Sequence, residues 1–317
     1  MMSGGRNGLS EILRDNEIGK VWEIKDVGET EHFLGMRVQQ DLTLGTIRLT
    51  QHPYWERVLN HFDLETVTPR NVPLPTGIVL DSNMSPKTDS ERKEMEDKPY
   101  RSILGSVMWG QLTTCPDLSF SVSLFVRFQA NPGIEHWNAL MHVIGYIKNT
   151  LDHGLTYSHD ANLSPTAFMD ADYGGCRDTR WSTSGYMFMM SGGAVTWSSK
   201  QQAAVALSTV EVEYVAMSRC AQQMVWMHNW LDEVEVQYSS PGLIKGDNRG
   251  AIALTKNTKD HRKVKHIDIR HHYICELIQS GTITIEQVPS EDNLADLFTK
   301  PLPRDQHHHL LAALNIK

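Results

Sequence analysis

A short apolar run, residues 166–169, leads into two carboxylates, Asp170 and Asp172, and then, after Tyr173, into Gly174 and Gly175. Such a run followed by paired glycines is typical of a buried β-strand that stops at a turn. Open sheets place ligands and metals at the ends of their strands. This stretch is therefore predicted to deliver acid to a site.

Three downstream acids are candidates to meet Asp170: Glu213 on a long predicted helix, Asp247 after a short predicted strand, and Asp296 at the start of a final predicted helix. Glu211 and Glu213 lie about 200° apart around a helix, so only one of them can face the sheet. An apolar stripe continues from Glu213 along the helix. Because a carboxylate on such a stripe is costly unless it is paired, protonated or bound to a cation, Glu213 is the predicted site residue.

Each of these acids also has a simpler interpretation. Asp172 shares a face with Asp170 if the strand continues, although Asp170 is closer to the core and is preferred. Asp247 and Asp296 each precede a predicted helix, where an isolated Asp is more often an N-cap than a ligand. The joint order of strand Asp, helix Glu, strand-end Asp and final-helix Asp is much more specific than any single residue.

The elements that would position these acids form an α+β pattern. Three short strands are predicted at 167–170, 185–190 and 194–199, with a hairpin turn at residues 191–193 between the last two. A long helix then runs to about residue 234. It is followed by a strand at 243–246, helices at 248–255 and 266–280, a strand at 282–288 and a closing helix at 293–299.

The first half of the chain predicts helices and one hairpin. Helical spacing begins at 9–18, a hairpin is predicted within 30–51, and a second helix is predicted at 53–64. Residues 76–98 are polar and poor in apolar side chains, which indicates a linker. Three more helices are predicted. The first begins at Tyr100, the second begins at Pro116, and the third spans residues 136–149.

The composition sets limits on the class of protein. The 317 residues, 40% of them hydrophobic, suffice for two domains with real cores, and the net charge of −8 confines any nucleic-acid contact to a local patch. Four cysteines without a CxxC pair predict reduced thiols and an intracellular protein, cytoplasmic or nuclear. No apolar leader and no run of about 18 apolar residues is visible, so neither secretion nor a membrane span is expected.

These acids, in this order, resemble the ribonuclease H domain of copia-type retroelement polyproteins. The segments that carry the resemblance are Asp170-Ala171-Asp172-Tyr173, Ser182-Thr183-Ser184-Gly185-Tyr186, Trp197-Ser198-Ser199-Lys200-Gln201, Glu211-Val212-Glu213-Tyr214, Asp247-Asn248, Lys265-His266-Ile267-Asp268-Ile269 and Ala295-Asp296-Leu297-Phe298-Thr299-Lys300. Upstream, residues 25–29, 33–35 and 100–106 resemble the last palm, thumb and connection portion of the same family's reverse transcriptase.

The resemblance implies an α/β architecture. A C-terminal ribonuclease H-like fold, with a mixed five-stranded sheet and flanking helices, would follow a smaller α+β reverse-transcriptase thumb and connection remnant. The implied boundaries are 1–75 for the end of the palm and thumb, 76–98 for a linker, 99–153 for a helical connection segment, 154–302 for the ribonuclease H-like domain and 303–317 for a tail.

The resemblance also implies a reaction, namely hydrolysis of the RNA strand of RNA–DNA hybrids with two Mg²⁺ ions, for which Mn²⁺ could substitute. Asp170 would bridge both ions. Asp296 would help to hold the ion that activates water, and Glu213 and Asp247 would hold the ion at the leaving 3′ oxygen. The polymerase motif Tyr-x-Asp-Asp is not in the sequence, so no DNA synthesis is expected from this chain alone, and a truncated element is implied.

A basic stretch is the predicted contact for the hybrid, because a duplex backbone is attracted by clustered cations. Its residues are Lys256, Lys259, Arg262, Lys263 and Lys265. As a bare run of charge the same stretch could be a solvated loop. The expected partners are an RNA–DNA hybrid and other segments of the retroelement polyprotein, with no membrane.

Two departures from the family and two alternatives stay open. Residues 289–292 hold no His where many ribonucleases H carry one, and Tyr173 replaces a frequent Trp. The chain could be a catalytically silent module for nucleic-acid binding or assembly, although the presence of all four acids counts against this. It could also be an integrase-type nuclease, but that site normally has three acids and no Glu at the position of Glu213.

Overall fold

The computed structural model describes residues 29–256 and 265–316, with side chains described outside 256 and 265–269. The strands in these ranges are β1 His32–Phe33, β2 Met36–Asp41, β3 Thr46–Thr50, β4 Gly154–Ser158, β5 Thr166–Ala171, β6 Thr183–Met190, β7 Gly193–Gln201, β8 Gly242–Gly246 and β9 Ile283–Gln287. The helices are α1 His52–His61, α2 Asp89–Glu96, α3 Tyr100–Thr113, α4 Ser119–Phe125, α5 Ile134–Asn149, α6 Thr209–Glu233, α7 Arg249–Lys256, α8 Lys265–Gln279 and α9 Arg304–Ala313.

The second half of the chain is built on a five-stranded sheet with the order β7-β6-β5-β8-β9. The first three strands are antiparallel neighbours, whereas β5 pairs with β8 and β8 with β9 in parallel. The predicted α/β, ribonuclease H-like architecture with a mixed five-stranded sheet is therefore confirmed. The predicted hairpin turn is also found, with Ser191 and Gly192 both at positive φ.

Both faces of this sheet are covered. On one face the core holds apolar side chains of β5 and α6, among them Met169, Met217 and Met224. On the other face Met187 packs with Phe298, which belongs to a short 3₁₀ helix, Leu294–Phe298. Since successive side chains of a strand point to opposite faces, apolar residues at neighbouring positions of one strand pack into different cores, one on each face of the sheet.

The long helix α6 begins where its sequence predicts. The hydroxyl of Ser208 accepts a hydrogen bond from the backbone N–H of Glu211 at 3.2 Å, which satisfies one of the free donors of the first turn. Its apolar stripe, which includes Cys220 and Leu231, is buried. Glu213, the fifth residue of the helix, starts that stripe and is 6% exposed.

The first half of the chain forms a second sheet, with the order β1-β2-β3-β4, beside a helical core. The predicted hairpin is confirmed, since β2 and β3 are antiparallel. The strand β4 pairs with β3, although the predicted boundary at residue 154 assigns β4 to the ribonuclease H-like domain. Leu155 of β4 packs into the same core as Met187, so this strand contributes to both halves.

The segment 76–98, which the sequence favours as a linker, contains helix α2. Thr88 and Glu91 form a capping box, with the Thr88 hydroxyl accepting from Glu91 N at 3.3 Å and the Glu91 carboxylate accepting from Thr88 N at 2.8 Å. The backbone N–H of Ser82 donates to the Asp178 carboxylate at 3.0 Å. The segment is thus fixed against the second half of the chain.

The segment 303–317, predicted only as a tail, holds helix α9. His307, Leu310 and Leu311 are buried on one side of it, and Ile316 forms a β-bridge with Leu155. This spacing of i, i+3 and i+4 is that of a helix face. A polar residue type, His307, opens this face, although its ring packs on Tyr146.

Gly185 allows the closest approach between the sheet and the 3₁₀ helix. A Cβ at this position would lie 2.7 Å from Thr299 Cγ2 and 2.8 Å from Phe298 Cβ. Gly185→Ala is therefore expected to lower the free energy of unfolding by about 1–3 kcal/mol, measured by urea denaturation. The matched control is Gly105→Ala on helix α3, where nothing lies within 4 Å and a gain of up to about 1 kcal/mol is expected. Equal stability of the two variants would contradict the packing described.

Candidate active site

Three carboxylates meet at one edge of the five-stranded sheet. Asp170, Glu213 and Asp247 each offer one oxygen, and these oxygens all lie within 4.8 Å of one another. Asp170 is near the end of β5, Asp247 directly follows β8, and Glu213 reaches over from helix α6. Because β5 and β8 are parallel neighbours, their carboxyl ends bring the two aspartates to the same edge.

Hydroxyl groups fix two of these acids. The hydroxyl of Thr299 donates to Asp170 Oδ2, and that of Ser290 donates to Asp247 Oδ2 at 2.6 Å. Glu213 differs, since its Oε2 is buried and has no hydrogen-bond partner among the described residues. A buried polar atom without a partner is costly, so this oxygen is free to accept a ligand.

Asp296 lies beside this trio and is joined to it by a lysine. The Lys300 Nζ is 2.9 Å from Asp296 Oδ1 and 3.7 Å from Asp170 Oδ2. The Asn293 side chain donates to the carbonyl oxygen of Met169 at 3.1 Å, which ties the start of the 3₁₀ helix to the strand that carries Asp170. All four predicted site acids are therefore in one region of the structure.

Asn248 and Asn293, not Asp247 and Asp296, cap the two helices for which these aspartates are N-cap candidates. The side chain of Asn248, not Asp247, accepts from the backbone of the following helix, with Ala251 N at 3.0 Å. Asn293 in turn caps the 3₁₀ helix that carries Asp296. Neither aspartate is needed to satisfy a helix terminus, so both remain available to the site.

The two rejected acids have other partners. Asp172 accepts a hydrogen bond from the backbone N–H of Thr183, which holds the loop after β5. Glu211 accepts from Leu207 N at 2.8 Å in front of helix α6. In the pair Asp170 and Asp172, and in the pair Glu213 and Glu211, the first acid belongs to the trio and the second accepts a hydrogen bond from the backbone.

Burial and mutual repulsion make these acids hard to ionise together. Burial first, and then the charges of Asp170 and Asp247, raise the pKa of Glu213 to about 9. Burial and Asp170 raise the pKa of Asp296 to about 7, although Lys300 opposes the shift. Without a cation the site therefore retains protons at neutral pH. This is the behaviour of acids assembled for a positive ion.

The donor set fits a hard divalent cation. Every candidate ligand is a carboxylate oxygen, which is the preferred donor of Mg²⁺ and Mn²⁺ in proteins. The orphaned oxygen of Glu213 is the observation that favours a metal over a closed ion-pair network. Asp170, Glu213 and Asp247 are the residues that could hold the ion directly, with Asp296 next to them.

Relatives of known class match almost the whole chain. It is 34% identical over 306 residues to the retrovirus-related Pol polyprotein from transposon TNT 1-94 of Nicotiana tabacum, a match that covers 96% of this chain and 23% of the relative. It is also 34% identical over 288 residues to the Pol polyprotein from transposon RE2 of Arabidopsis thaliana, which covers 89% of this chain and 19% of that protein. The chain belongs to the retrovirus-related Pol polyproteins of copia-type transposons.

The chain spans about a fifth of the length of these Pol polyproteins. No family model matches it. Among solved structures, the foamy viral protease-reverse transcriptase in complex with double-stranded DNA covers 81% of this Pol chain at 15% identity and a TM-score of 0.44. The fold assignment rests on the strand order and pairing described above. In the described part of this Pol chain, no helix is both long and apolar enough to cross a bilayer.

Most of the predicted basic contact lies outside the described residues, which include only the backbone of Lys256 and Lys265. The side chains of Lys256, Lys259, Arg262, Lys263 and Lys265 are not described, so this assignment stays a prediction.

Sequence reasoning missed the residues that support the acids. Thr299 and Lys300 lie in the segment 295–300 that carries the family resemblance, but the resemblance implies no role for them, and the sequence predicts none for Ser290. The spacing of four residues between Asp296 and Lys300 was the available signal, since it favours an ion pair on one helical face. Ser290 offered no signal, because only the fold brings it to Asp247.

The ammonium of Lys300 is expected to stabilise the metal-free Pol chain. Lys300→Met would leave Asp170 and Asp296 without their cation, and the free energy of unfolding is expected to fall by about 1–2 kcal/mol. The loss is smaller than for a fully buried ion pair, because the Lys300 side chain is 44% exposed and water screens its charge. The Tm at pH 8 measures this loss. Added Mg²⁺ should raise the Tm of the Lys300→Met variant by more than it raises the Tm of the wild type. Lys93→Met on the exposed side of α2 is the control. An unchanged Tm in Lys300→Met would contradict the proposed balance of charge.

Proposed function

We propose that this chain is a divalent-metal-dependent endonuclease that cuts the RNA strand of RNA–DNA hybrids as part of a transposon polyprotein. The observation that carries the proposal is the convergence of Asp170, Glu213 and Asp247, with a buried oxygen of Glu213 left without a partner. Membership in the copia-type Pol family supports it, because a Pol polyprotein acts on nucleic acid. No DNA synthesis is expected from this chain alone.

The residues of the site have three separate roles: holding the ions, orienting the carboxylates and balancing their charge. Asp170, Glu213, Asp247 and Asp296 would hold a pair of Mg²⁺ ions, and Thr299 and Ser290 orient two of these carboxylates by hydrogen bonds. When bound, such ions lower the pKa of water and stabilise the charge of a leaving oxygen. Lys300 offsets the repulsion between Asp170 and Asp296 before an ion arrives.

The position of Glu213 supports a ribonuclease H-type site over an integrase-type site. Glu213 lies in the second turn of the first long helix after the antiparallel strands, and its oxygen is within 4.8 Å of an oxygen of Asp170. It takes part in the cluster, as the ribonuclease H alternative requires. The choice of the RNA strand would depend on contacts to 2′-hydroxyl groups.

A cleavage assay with three substrates tests the proposal. The full chain is incubated with Mg²⁺ or with EDTA and end-labelled RNA–DNA hybrid, single-stranded RNA or duplex DNA. We expect Mg²⁺-dependent cutting of the RNA in the hybrid and at least about a hundredfold slower cutting of the other two. Equal cutting of duplex DNA would favour the integrase-type alternative. Binding of the hybrid without cutting would favour a silent binding module.

A further inference from the structure

A groove runs along helix α6, away from the acids. Its first part has a volume of about 470 Å³ between the helix and strands β6 and β7, and its second part has about 460 Å³. Gln223 and Trp226 line both parts, so the groove is continuous. Among the described residues, none of the side chains that line it is a carboxylate, although the chain as a whole carries a net charge of −8.

The part of the groove next to the acids is polar and basic. Lys200 from β7 and Arg219 from α6 line it, together with Ser184, Tyr186 and Ser198 on the strands. The guanidinium of Arg219 donates to the carbonyl oxygen of Lys200 at 3.4 Å, which holds it across the groove. Two cations on a wall whose described residues include no acid favour an anionic occupant.

The far part of the groove is aromatic. Trp226 and Trp230 lie four residues apart on α6, so their side chains are neighbours on one face, about 6 Å apart along the axis. They remain 55% and 44% exposed, which is high for tryptophan in a folded chain. Exposed aromatic rings that follow cations are the pattern with which proteins hold unpaired nucleic acid, because bases stack on the rings while cations bind the phosphates.

One end of the groove lies beside the end of the strand that carries Asp170. Ser184 pairs with Ala171, the residue after Asp170, and Lys200 pairs with Ser184 on the next strand. Trp226 follows Glu213 by thirteen residues of one helix, which places it roughly 20 Å further along the axis. At a rise of about 3.4 Å per nucleotide, a strand would need about six nucleotides to reach Trp226 from the site.

We propose that this groove binds an unpaired nucleic-acid strand that extends from the hybrid held at the acids, with its phosphates on Lys200 and Arg219 and its bases on Trp226 and Trp230. The proposal rests on the proposed function for the position of the hybrid. It adds a second binding site, which would favour substrates in which the end of a hybrid continues as a single strand.

Binding to matched substrates tests this proposal without cleavage. Fluorescence anisotropy with EDTA compares one blunt RNA–DNA hybrid with the same hybrid extended by about eight unpaired nucleotides of DNA or of RNA, at either end. We expect the full chain to bind one extended form about tenfold more tightly than the blunt form. The four extended forms show which strand and which end enters the groove.

Exposed variants assign the effect to the groove. Trp226→Ala and Trp230→Ala should each reduce the preference for the extended form to within about threefold, and Lys200→Gln should lower the slope of log Kd against log salt by about one. Trp109→Ala is the control, because Trp109 is 39% exposed on helix α3 and does not line the groove. It should keep the full preference.

Three outcomes would overturn the proposal. These are equal binding of the blunt and extended hybrids, a preference that survives in both tryptophan variants, and self-association in ultracentrifugation that Trp226→Ala abolishes, which would assign the groove to a second copy of the chain. If the blunt hybrid is cut with Mg²⁺ but the extension has no effect, the groove proposal fails alone. If extended hybrids are preferred but no hybrid is cut, the groove stands and the nuclease proposal fails.

Discussion

Asp170→Asn is expected to slow cleavage of an RNA–DNA hybrid by at least about a thousandfold while hybrid binding stays within about threefold of the wild type. Asp170 is the acid that faces both Glu213 and Lys300, so its charge is central to holding a cation. Asn keeps an oxygen that can accept from the Thr299 hydroxyl, so the fold should be retained. Single-turnover cleavage rates with Mg²⁺, together with anisotropy in EDTA, measure both quantities.

The matched control is two residues away. Asp172→Asn removes the same charge from the same segment, but Asp172 supports the backbone N–H of Thr183, which an Asn oxygen can still accept. Its cleavage rate should stay within about threefold of the wild type. If Asp170→Asn cuts at the normal rate, or if both variants lose activity equally, the assignment of Asp170 is wrong.

Mg²⁺ is expected to raise the Tm by roughly 5 °C or more at pH 8, and by much less at pH 6. An ion that binds only the folded chain at about a hundred times its Kd adds about 2.7 kcal/mol to the free energy of unfolding. At pH 6 the ion must displace protons from both Glu213, whose pKa is raised to about 9, and Asp296, whose pKa is raised to about 7, whereas at pH 8 Asp296 is already ionised and the proton on Glu213 competes less strongly. Thermal unfolding with Mg²⁺ or EDTA across this pH range measures the difference.

The metal-free chain should show the opposite trend with pH. The raised pKa of Glu213 means that its contribution to stability is complete below about 4.5, the ordinary pKa of Glu, and is lost as the pH rises through about 9. Glu213→Gln stays neutral, so it should flatten this loss and also remove most of the gain from Mg²⁺. Glu211→Gln, at the backbone of Leu207, is the control and should keep both. An equal Mg²⁺ effect at pH 6 and pH 8 would contradict the acid cluster.

The acids that lie on regular elements could be found from the sequence. The 3.6-residue period placed Glu213, not Glu211, on the buried stripe of α6, and the structure buries it there. The glycines after residue 173 marked the end of the strand that carries Asp170. The strand order could not be derived from these patterns, because pairing is decided by contacts between distant segments. The family resemblance implies a mixed five-stranded sheet but was not used to predict the order of its strands.

The parts that sequence reasoning missed depend on tertiary contacts. Helix α9 has its apolar face interrupted by His307, whose ring is buried against Tyr146. Helix α2 has no buried residue of its own, so its composition indicated a linker. The four-residue spacing indicates the ion pair of Lys300 with Asp296, but only the fold brings the same ammonium to Asp170. In each case the local composition indicates a segment exposed to solvent, whereas contacts with distant residues place it in the folded structure.

The central claim is that four distant acids form one site for a pair of divalent ions. Anomalous diffraction from crystals of the full chain grown with Mn²⁺ tests it most directly. We expect two peaks roughly 3.5–4 Å apart, enclosed by Asp170, Glu213, Asp247 and Asp296. The absence of any peak among these four carboxylates, with Mn²⁺ bound at other sites of the same crystal, would contradict it.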